Sequence, residues 1–275
     1  MPVFLFAVCV SPNLSGNGLL WSFIIIHLLV YPASNGFNSY FDKDEKSIGG
    51  LKNPPPVKKD LYYTSLLFDV AAIILALVFI SKEFAVMLLV YGLASKAYSH
   101  PSVRLKKYPI AGWITVVFFQ GVFAFAMSYA GLNKFPFTTL LHSKVLIPGL
   151  LTSLMLFATY PMTQVYQHDE DSKRGDHTMS LKLGIKGTFF FAMTFFTIAA
   201  VCFVLYFIKT FSAFYAVVFI VTQSPVVIYF FLWFFAVLKD TTNADHKSTM
   251  RLNLISSLCL NAFFAYLFLH TWHYI

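Results

Sequence analysis

Long apolar segments alternate with short polar ones along this chain. A helix that crosses a bilayer needs about 20 mostly apolar residues, and eight segments approach that length. They lie at 19–37, 60–80, 84–98, 109–130, 145–166, 187–208, 212–238 and 252–273. A shorter apolar segment, residues 1–10, precedes them, and we interpret it as the end of a first, shortened helix. The pattern predicts an all-α membrane protein, a bundle of nine transmembrane helices, in which residues 1–275 form a single domain.

The composition excludes an ordinary soluble domain. Of the 275 residues, 58% are hydrophobic and 12% are charged, whereas soluble domains carry about 25% charged residues. A chain with so few charges cannot cover its own surface in water. The three cysteines, Cys9, Cys202 and Cys259, lie in apolar segments without paired spacing, so neither a disulfide framework nor a zinc site is indicated.

The basic residues predict the orientation in the membrane. Most of the 20 lysines and arginines lie in alternate connections, and the opposite side has only Lys82, Lys134, Lys144 and Lys209. Because short loops rich in lysine and arginine stay in the cytoplasm, we expect a multi-pass protein of the cell (inner) membrane with its basic loops inside. Topology and attraction to anionic membrane lipid account for the net charge of +8. The charge therefore indicates no nucleic-acid partner.

The acidic residues concentrate in two segments on the predicted cytoplasmic side. The first acidic loop, 38–59, contains Asp42, Asp44 and Glu45, and the second, 167–186, contains Asp169, Glu170, Asp171 and Asp176. Each loop follows an apolar helix and precedes three more, which indicates two pseudo-repeated halves. Facing carboxylate clusters repel unless a cation lies between them, and Mg2+ commonly binds one or two carboxylates together with substrate phosphates. The alternative is that these are solvated loop charges.

Both segments resemble a known family. Residues 38–45 (N-S-Y-F-D-K-D-E) resemble the first aspartate motif, N-D-x-x-D-x-x-x-D, of the UbiA-type intramembrane prenyltransferases. Residues 167–178 (Q-H-D-E-D-S-K-R-G-D-H-T), followed by L-G at 183–184, resemble the second, D-x-x-x-D with a downstream G-x-x-T. Residues 52–55 (K-N-P-P) are placed like the family's N-R-P segment, and 105–107 (L-K-K) like its L-K-R.

The sequence departs from these motifs at three positions. Ser39 stands where the family often has aspartate, Lys46 replaces the last acid of the first motif, and Gln167 replaces the first aspartate of the second. Asn38, Asp42 and Asp171 match the motifs position by position, and Asp44, Glu45 and Asp169 lie one or two residues from the lost positions. The candidate metal ligands are therefore Asp42, Asp171, Asp44, Asp169 and, through its carbonyl oxygen, Gln167.

The resemblance implies transfer of an isoprenyl group from a polyprenyl diphosphate to a lipid-soluble, aromatic or quinone-precursor acceptor, with Mg2+ as cofactor. It assigns catalysis to Asp42, Asp171, Lys106 and Arg174. It assigns substrate binding to Asn38, Lys107, Tyr98, Tyr166 and Lys52. Each tyrosine has an alternative interpretation as an interfacial anchor.

Two other functions stay open at this point. A secondary transporter also has repeated helix bundles with intramembrane acids, but the acids here cluster at helix ends rather than at the midplane. A catalytically reduced homologue that binds isoprenoid lipid is consistent with the lost motif aspartates. Asp69 lies inside an apolar helix, where a carboxylate is either functional or paired with a neighbouring helix.

Overall fold

The computed structural model describes residues 1–43 and 45–271. The helices of this part are α1 Pro2–Cys9, α2 Gly16–Asp42, α3 Lys59–Phe79, α4 Lys82–Ser99, α5 Pro109–Asn133, α6 Phe137–Leu140, α7 Ser143–Met162, α8 His168–Arg174, α9 Met179–Thr210, α10 Ala213–Lys239 and α11 His246–Thr271. The predicted all-α class is confirmed.

Seven of these helices are long and apolar enough to cross a membrane, namely α2, α3, α5, α7, α9, α10 and α11. Helix α4 has 18 residues and carries charges at both ends, and the predicted first helix forms the short α1. The count of nine passes therefore stays a prediction. Many large side chains on the outer faces, including Leu67, Val78, Val221 and Leu232, are more than 60% exposed, as expected of surfaces that contact lipid.

Aromatic side chains fill the centre of the bundle. In one cluster Phe6 of α1 packs against Phe125 of α5 and Phe264 of α11, with ring centroids 5.4 and 4.8 Å apart. In a second cluster Phe189 of α9 contacts Trp233 of α10 at 4.7 Å. Because lipid tails are as apolar as these side chains, close packing rather than the hydrophobic effect holds such helices together.

The two acidic segments are more helical than predicted. Helix α2 continues to Asp42 and ends at Lys43, which adopts a left-handed conformation with φ 50°. The first connection is therefore 43–58 rather than 38–59. In the second segment, α8 forms directly after residue 167, and α9 already begins at Met179. Short charged helices such as α8 have no apolar periodicity, so the hydrophobic pattern could not reveal them.

Helix α5 contains a π-helical segment, Val117–Phe123, with a non-helical residue at Gly121 (φ −96°, ψ −107°). Ser153 of α7 bridges the break, because its hydroxyl donates to the carbonyl of Val117 and accepts from the N–H of Val122, both at 2.9 Å. A Cβ at position 121 would lie 2.2 Å from the Ser153 Oγ. The glycine therefore permits α5 and α7 to approach closely at the kink.

Asp69 is paired with a neighbouring helix. Its carboxylate accepts a hydrogen bond from the ammonium of Lys96 in α4, and Lys96 also lies 4.9 Å from the ring centre of Phe37 in α2. This contact joins three helices of the first half. The structure therefore supports the pairing role for Asp69.

Candidate active site

A cavity of about 420 Å3, here called the polar cavity, brings the two acidic segments together. The sequence-predicted residues that line it are Asn38, Asp42, Tyr98, Lys106, Tyr166, Gln167, Asp171 and Arg174. They come from α2, α4, the short 3-10 helix Leu105–Lys107 between α4 and α5, the connection before α8, and α8 itself. Residues more than 120 positions apart in sequence thus form one site.

Three predicted site residues lie elsewhere. Lys52 and Lys107 are exposed and do not line the polar cavity. The backbone carbonyl of Lys107 accepts a hydrogen bond from the N–H of His177 at 3.0 Å. Asp169 is exposed and lines a separate pocket of about 280 Å3 with Asp245. It is two residues before Asp171 on α8, which at about 100° per residue places it on the opposite side. Asp44 lies outside the described residues.

The last turn of α2 supplies the first half of the site. Asn38 and Asp42 lie one turn apart on the same face, and the Asn38 amide donates to Asp42 Oδ2 at 2.8 Å. Asn38 Oδ1 accepts from the hydroxyl of Ser99 at 2.8 Å and from the Lys106 ammonium at 3.3 Å. Lys106 is buried and also contacts Asp42 Oδ1 directly. Three elements therefore fix the orientation of this asparagine and aspartate.

Helix α8 supplies the second half. Asp171 lies in its first turn and Arg174 in its last, where each charge complements the helix dipole. The Arg174 guanidinium donates to Asp171 Oδ1 at 3.1 Å, and the Thr178 hydroxyl donates to Asp171 Oδ2 at 3.3 Å. Gly175 ends the helix at φ 71°, a left-handed conformation that glycine adopts without strain.

An ion pair that the motifs did not indicate connects the halves. The Arg104 guanidinium donates to both carboxylate oxygens of Asp176 at 2.8 Å and lies 3.7 Å from Asp42 Oδ1. Arg104 itself has φ 44°, a conformation that costs a non-glycine residue energy and is often found at functional sites. The acidic segment contains Asp176, but nothing in the sequence pairs it with an arginine 72 residues earlier.

Among the described residues, three carboxylates and three basic side chains pair with one another at the site. The carboxylates of Asp42, Asp171 and Asp176 are at most 8% exposed, and they pair with Lys106, Arg174 and Arg104, respectively. Burial raises the pKa of Asp171 to about 6, although Arg174 opposes this. Hydrogen bonding to Asp176 raises the pKa of Arg104. Within each of the three pairs the opposite charges compensate one another.

The oxygen donors fit Mg2+ that arrives with a diphosphate. In the described ranges, 1–43 and 45–271, no group of three or more His, Cys, Asp or Glu side chains could hold a metal by itself. Mg2+ needs only one or two carboxylates when phosphate oxygens supply other positions, and Asp42 and Asp171 could provide these. The side-chain amide of Gln167 lines the same cavity and has no hydrogen-bond partner among the described residues.

An apolar cavity of about 490 Å3 adjoins the polar cavity. The two share Gln120, Tyr160, Thr163 and Asn253. Phe6, Met155, Leu156, Phe196, Phe203, Leu260 and Phe264 are among the other residues lining the apolar cavity. The Tyr160 hydroxyl is hydrogen-bonded to that of Tyr98. A charged site therefore opens directly into an apolar chamber inside the bundle.

The comparison with known sequences identifies the family. The UbiA prenyltransferase family model matches residues 1–258. The chain belongs to the UbiA prenyltransferase family. The predicted family is thus confirmed, and the match covers both aspartate segments. No curated protein sequence matches the chain significantly.

Solved UbiA-type structures share the fold. A structure described as digeranylgeranylglyceryl phosphate synthase in membranes is 20% identical, with a TM-score of 0.61 over 96% of this chain and 91% of that one. A UbiA homologue from Archaeoglobus fulgidus bound to GPP and Mg2+ is 16% identical, with a TM-score of 0.62 over 96% and 94%. A UbiA homologue from Archaeoglobus fulgidus bound to DMAPP and Mg2+ is 17% identical, with a TM-score of 0.60 over 96% of this chain and 93% of that one.

Proposed function

We propose that this protein transfers an isoprenyl group from a polyprenyl diphosphate to a lipid-soluble acceptor inside the membrane, with Mg2+ as cofactor. The observation that carries the proposal is the polar cavity, where Asp42 and Asp171 from the two motifs meet the basic side chains of Lys106 and Arg174 beside an apolar chamber. The binding of DMAPP or GPP with Mg2+ by the homologue from Archaeoglobus fulgidus supports the same ligand class.

Ligand binding would exchange the ion pairs of the site. Mg2+, when bound, would neutralise charge on the diphosphate and on the carboxylates of Asp42 and Asp171, with Gln167 as a further oxygen donor. Lys106 and Arg174, which contact those carboxylates in the structure, would then be available to diphosphate oxygens. Basic side chains that are already in the cavity need little reorganisation, which is what makes electrostatic stabilisation effective.

The same side chains suit ionisation of the donor. Lys106 and Arg174 would donate to the oxygens that gain negative charge as the allylic C–O bond breaks. Tyr98 lines the polar cavity and Tyr160 lines both cavities, and their rings would stabilise the positive charge left on the isoprenyl carbon. The apolar lining of the chamber would limit the access of water, which would otherwise capture that carbon.

The acceptor that we propose is aromatic or a quinone precursor, reaching the site from the bilayer. The basic connections, by the positive-inside rule, support a position of the polar cavity on the cytoplasmic side of the cell (inner) membrane. Donor, acceptor and surrounding membrane lipid are then the partners of this protein.

A second candidate is a homologue that binds isoprenoid diphosphates without turnover. The ion pairs favour it, because Lys106 and Arg174 already neutralise the two motif carboxylates. Gln167, at a position where the family has aspartate, adds to this.

The test measures diphosphate release by the purified protein in lipid, with geranyl, farnesyl and geranylgeranyl diphosphates, with and without Mg2+, and with a membrane-lipid extract as acceptor. We expect Mg2+-dependent release and a prenylated product. Asp42→Asn and Asp171→Asn should each lower the rate by at least 100-fold, whereas Asp169→Asn on the opposite side of α8 should stay within twofold. Donor binding without release by the parent protein would instead establish the second candidate.

A further inference from the structure

Two amide side chains lie where the polar and apolar cavities join. Gln120 comes from α5 and Asn253 from α11, and each lines both cavities together with Tyr160 and Thr163. No group in the described part of the chain hydrogen-bonds to either side-chain amide. Each amide therefore offers a donor and an acceptor to whatever occupies the junction.

The backbone around Gln120 departs from a regular α-helix. Gln120 lies within the π-helical segment Val117–Phe123, directly before the break at Gly121. Ser153 satisfies the backbone groups of Val117 and Val122 that this break leaves without regular helical partners. Single π-helical turns inside α-helices occur frequently at functional sites.

Both amides are accessible: Gln120 is exposed and Asn253 is half-buried. Polar residues within membrane helices commonly mark substrate sites. The charged side chains of the polar cavity already compensate one another. Among the described residues that line the apolar cavity, none is charged. The junction therefore offers hydrogen bonds but no counter-charge.

We propose that Gln120 and Asn253 bind the polar group of the acceptor, and that this group is a neutral hydroxyl or carbonyl. The inference rests on the proposed function, because it places the reacting donor carbon beside Tyr160 at the same junction. A phenol or quinol fits this site. An acceptor that carries a carboxylate or phosphate would need a basic side chain that the junction does not provide.

The first experiment compares three probes with one ring system: 1-naphthol, 1-naphthoic acid and 1-naphthyl phosphate. Binding to the protein in phosphatidylcholine nanodiscs is measured at neutral pH from naphthalene fluorescence, with empty nanodiscs subtracted. We expect 1-naphthol to bind at least tenfold more tightly than either anion. Equal or tighter binding of an anionic probe would overturn the proposal, and this comparison needs no variant.

The second experiment assigns the selectivity to the two amides. Gln120→Met and Asn253→Leu should each weaken 1-naphthol binding about tenfold. Gln223→Met is the matched control, because Gln223 is an amide in α10 that contacts Thr222 and lines neither cavity; it should change binding by less than twofold. If Gln120→Met and Asn253→Leu both stay within twofold while folded, the amides do not bind this group.

A donor measurement separates this inference from the proposed function. Mg2+-dependent binding of geranyl S-thiolodiphosphate, a non-ionising donor analogue, should be retained within twofold in Gln120→Met and Asn253→Leu. An equal loss of donor and naphthol binding would assign the amides to the donor and overturn the inference. If the parent protein fails to bind the donor analogue, the proposed function fails, while the naphthol comparison still decides the chemistry of the junction.

Discussion

Replacement of Arg104 by glutamine should test the ion-pair network most directly. Arg104 donates to both oxygens of Asp176 at 2.8 Å, and the Asp176 side chain is 3% exposed. Removal of one partner from such a buried pair typically costs about 3–5 kcal/mol, because the other charge is left uncompensated. Arg174 remains 3.9 Å from Asp176, so we expect the lower end, about 3 kcal/mol.

The double variant Arg104→Gln/Asp176→Asn removes both charges and should lose about 1 kcal/mol, since no buried charge remains without a partner. The free energy of unfolding is measured by SDS titration in mixed micelles with tryptophan fluorescence, for the parent, both single variants and the double variant. Because the double variant should lose about 2 kcal/mol less than Arg104→Gln alone, and Asp176→Asn has its own loss, the cycle should show a coupling of at least about 2 kcal/mol between the two residues. A loss in the double variant equal to the sum of the single losses would refute the reasoning.

Two further predictions follow from the site and the kink. Because burial holds the pKa of Asp171 at about 6, a proton competes with Mg2+ for this carboxylate below that pH. The apparent Mg2+ affinity, measured through donor-analogue binding, should therefore fall up to tenfold per pH unit below 6 and be constant above 7. A constant affinity down to pH 5 would contradict this. Gly121→Ala places a Cβ 2.2 Å from the Oγ of Ser153 and 2.7 Å from the Cα of Ser153, so it should destabilise the protein by about 2 kcal/mol. In the control Gly187→Ala the nearest contact of the new Cβ is 3.5 Å away. This control should leave the melting temperature unchanged or raise it.

The sequence predicts the parts of this structure that depend on local spacing. Apolar length is enough to place most helices, because a lipid environment demands continuous apolar surface. The four-residue spacing of Asn38 and Asp42 predicts that they share a helix face, and the structure shows this contact. The helix ends are displaced because polar motif residues extend α2 and form α8, where hydrophobicity carries no signal.

Local spacing in the sequence does not predict contacts between distant residues or the direction in which side chains point. The contact between Arg104 and Asp176 joins two loops through the packing of the whole bundle. Asp169 and Asp171 are equivalent as acids near a motif position, but two residues on a helix point to different sides. Lys52, placed by motif position alone, lies in an exposed turn. The partners, direction and exposure of these side chains depend on the fold and cannot be read from the motif alone.

The compensation of charge in the polar cavity also affects which phosphate groups we expect the protein to bind weakly. A membrane surface presents phospholipid headgroups at far higher local concentration than any isoprenoid diphosphate. A cavity with an excess of arginine and lysine would attract those headgroups throughout the life of the protein. Here each basic side chain is held by a carboxylate, so a monovalent phosphate diester gains little by displacing it. A diphosphate that brings its own divalent cations can bind both signs of charge at once, and selectivity against the surrounding lipid follows from the ion pairs themselves.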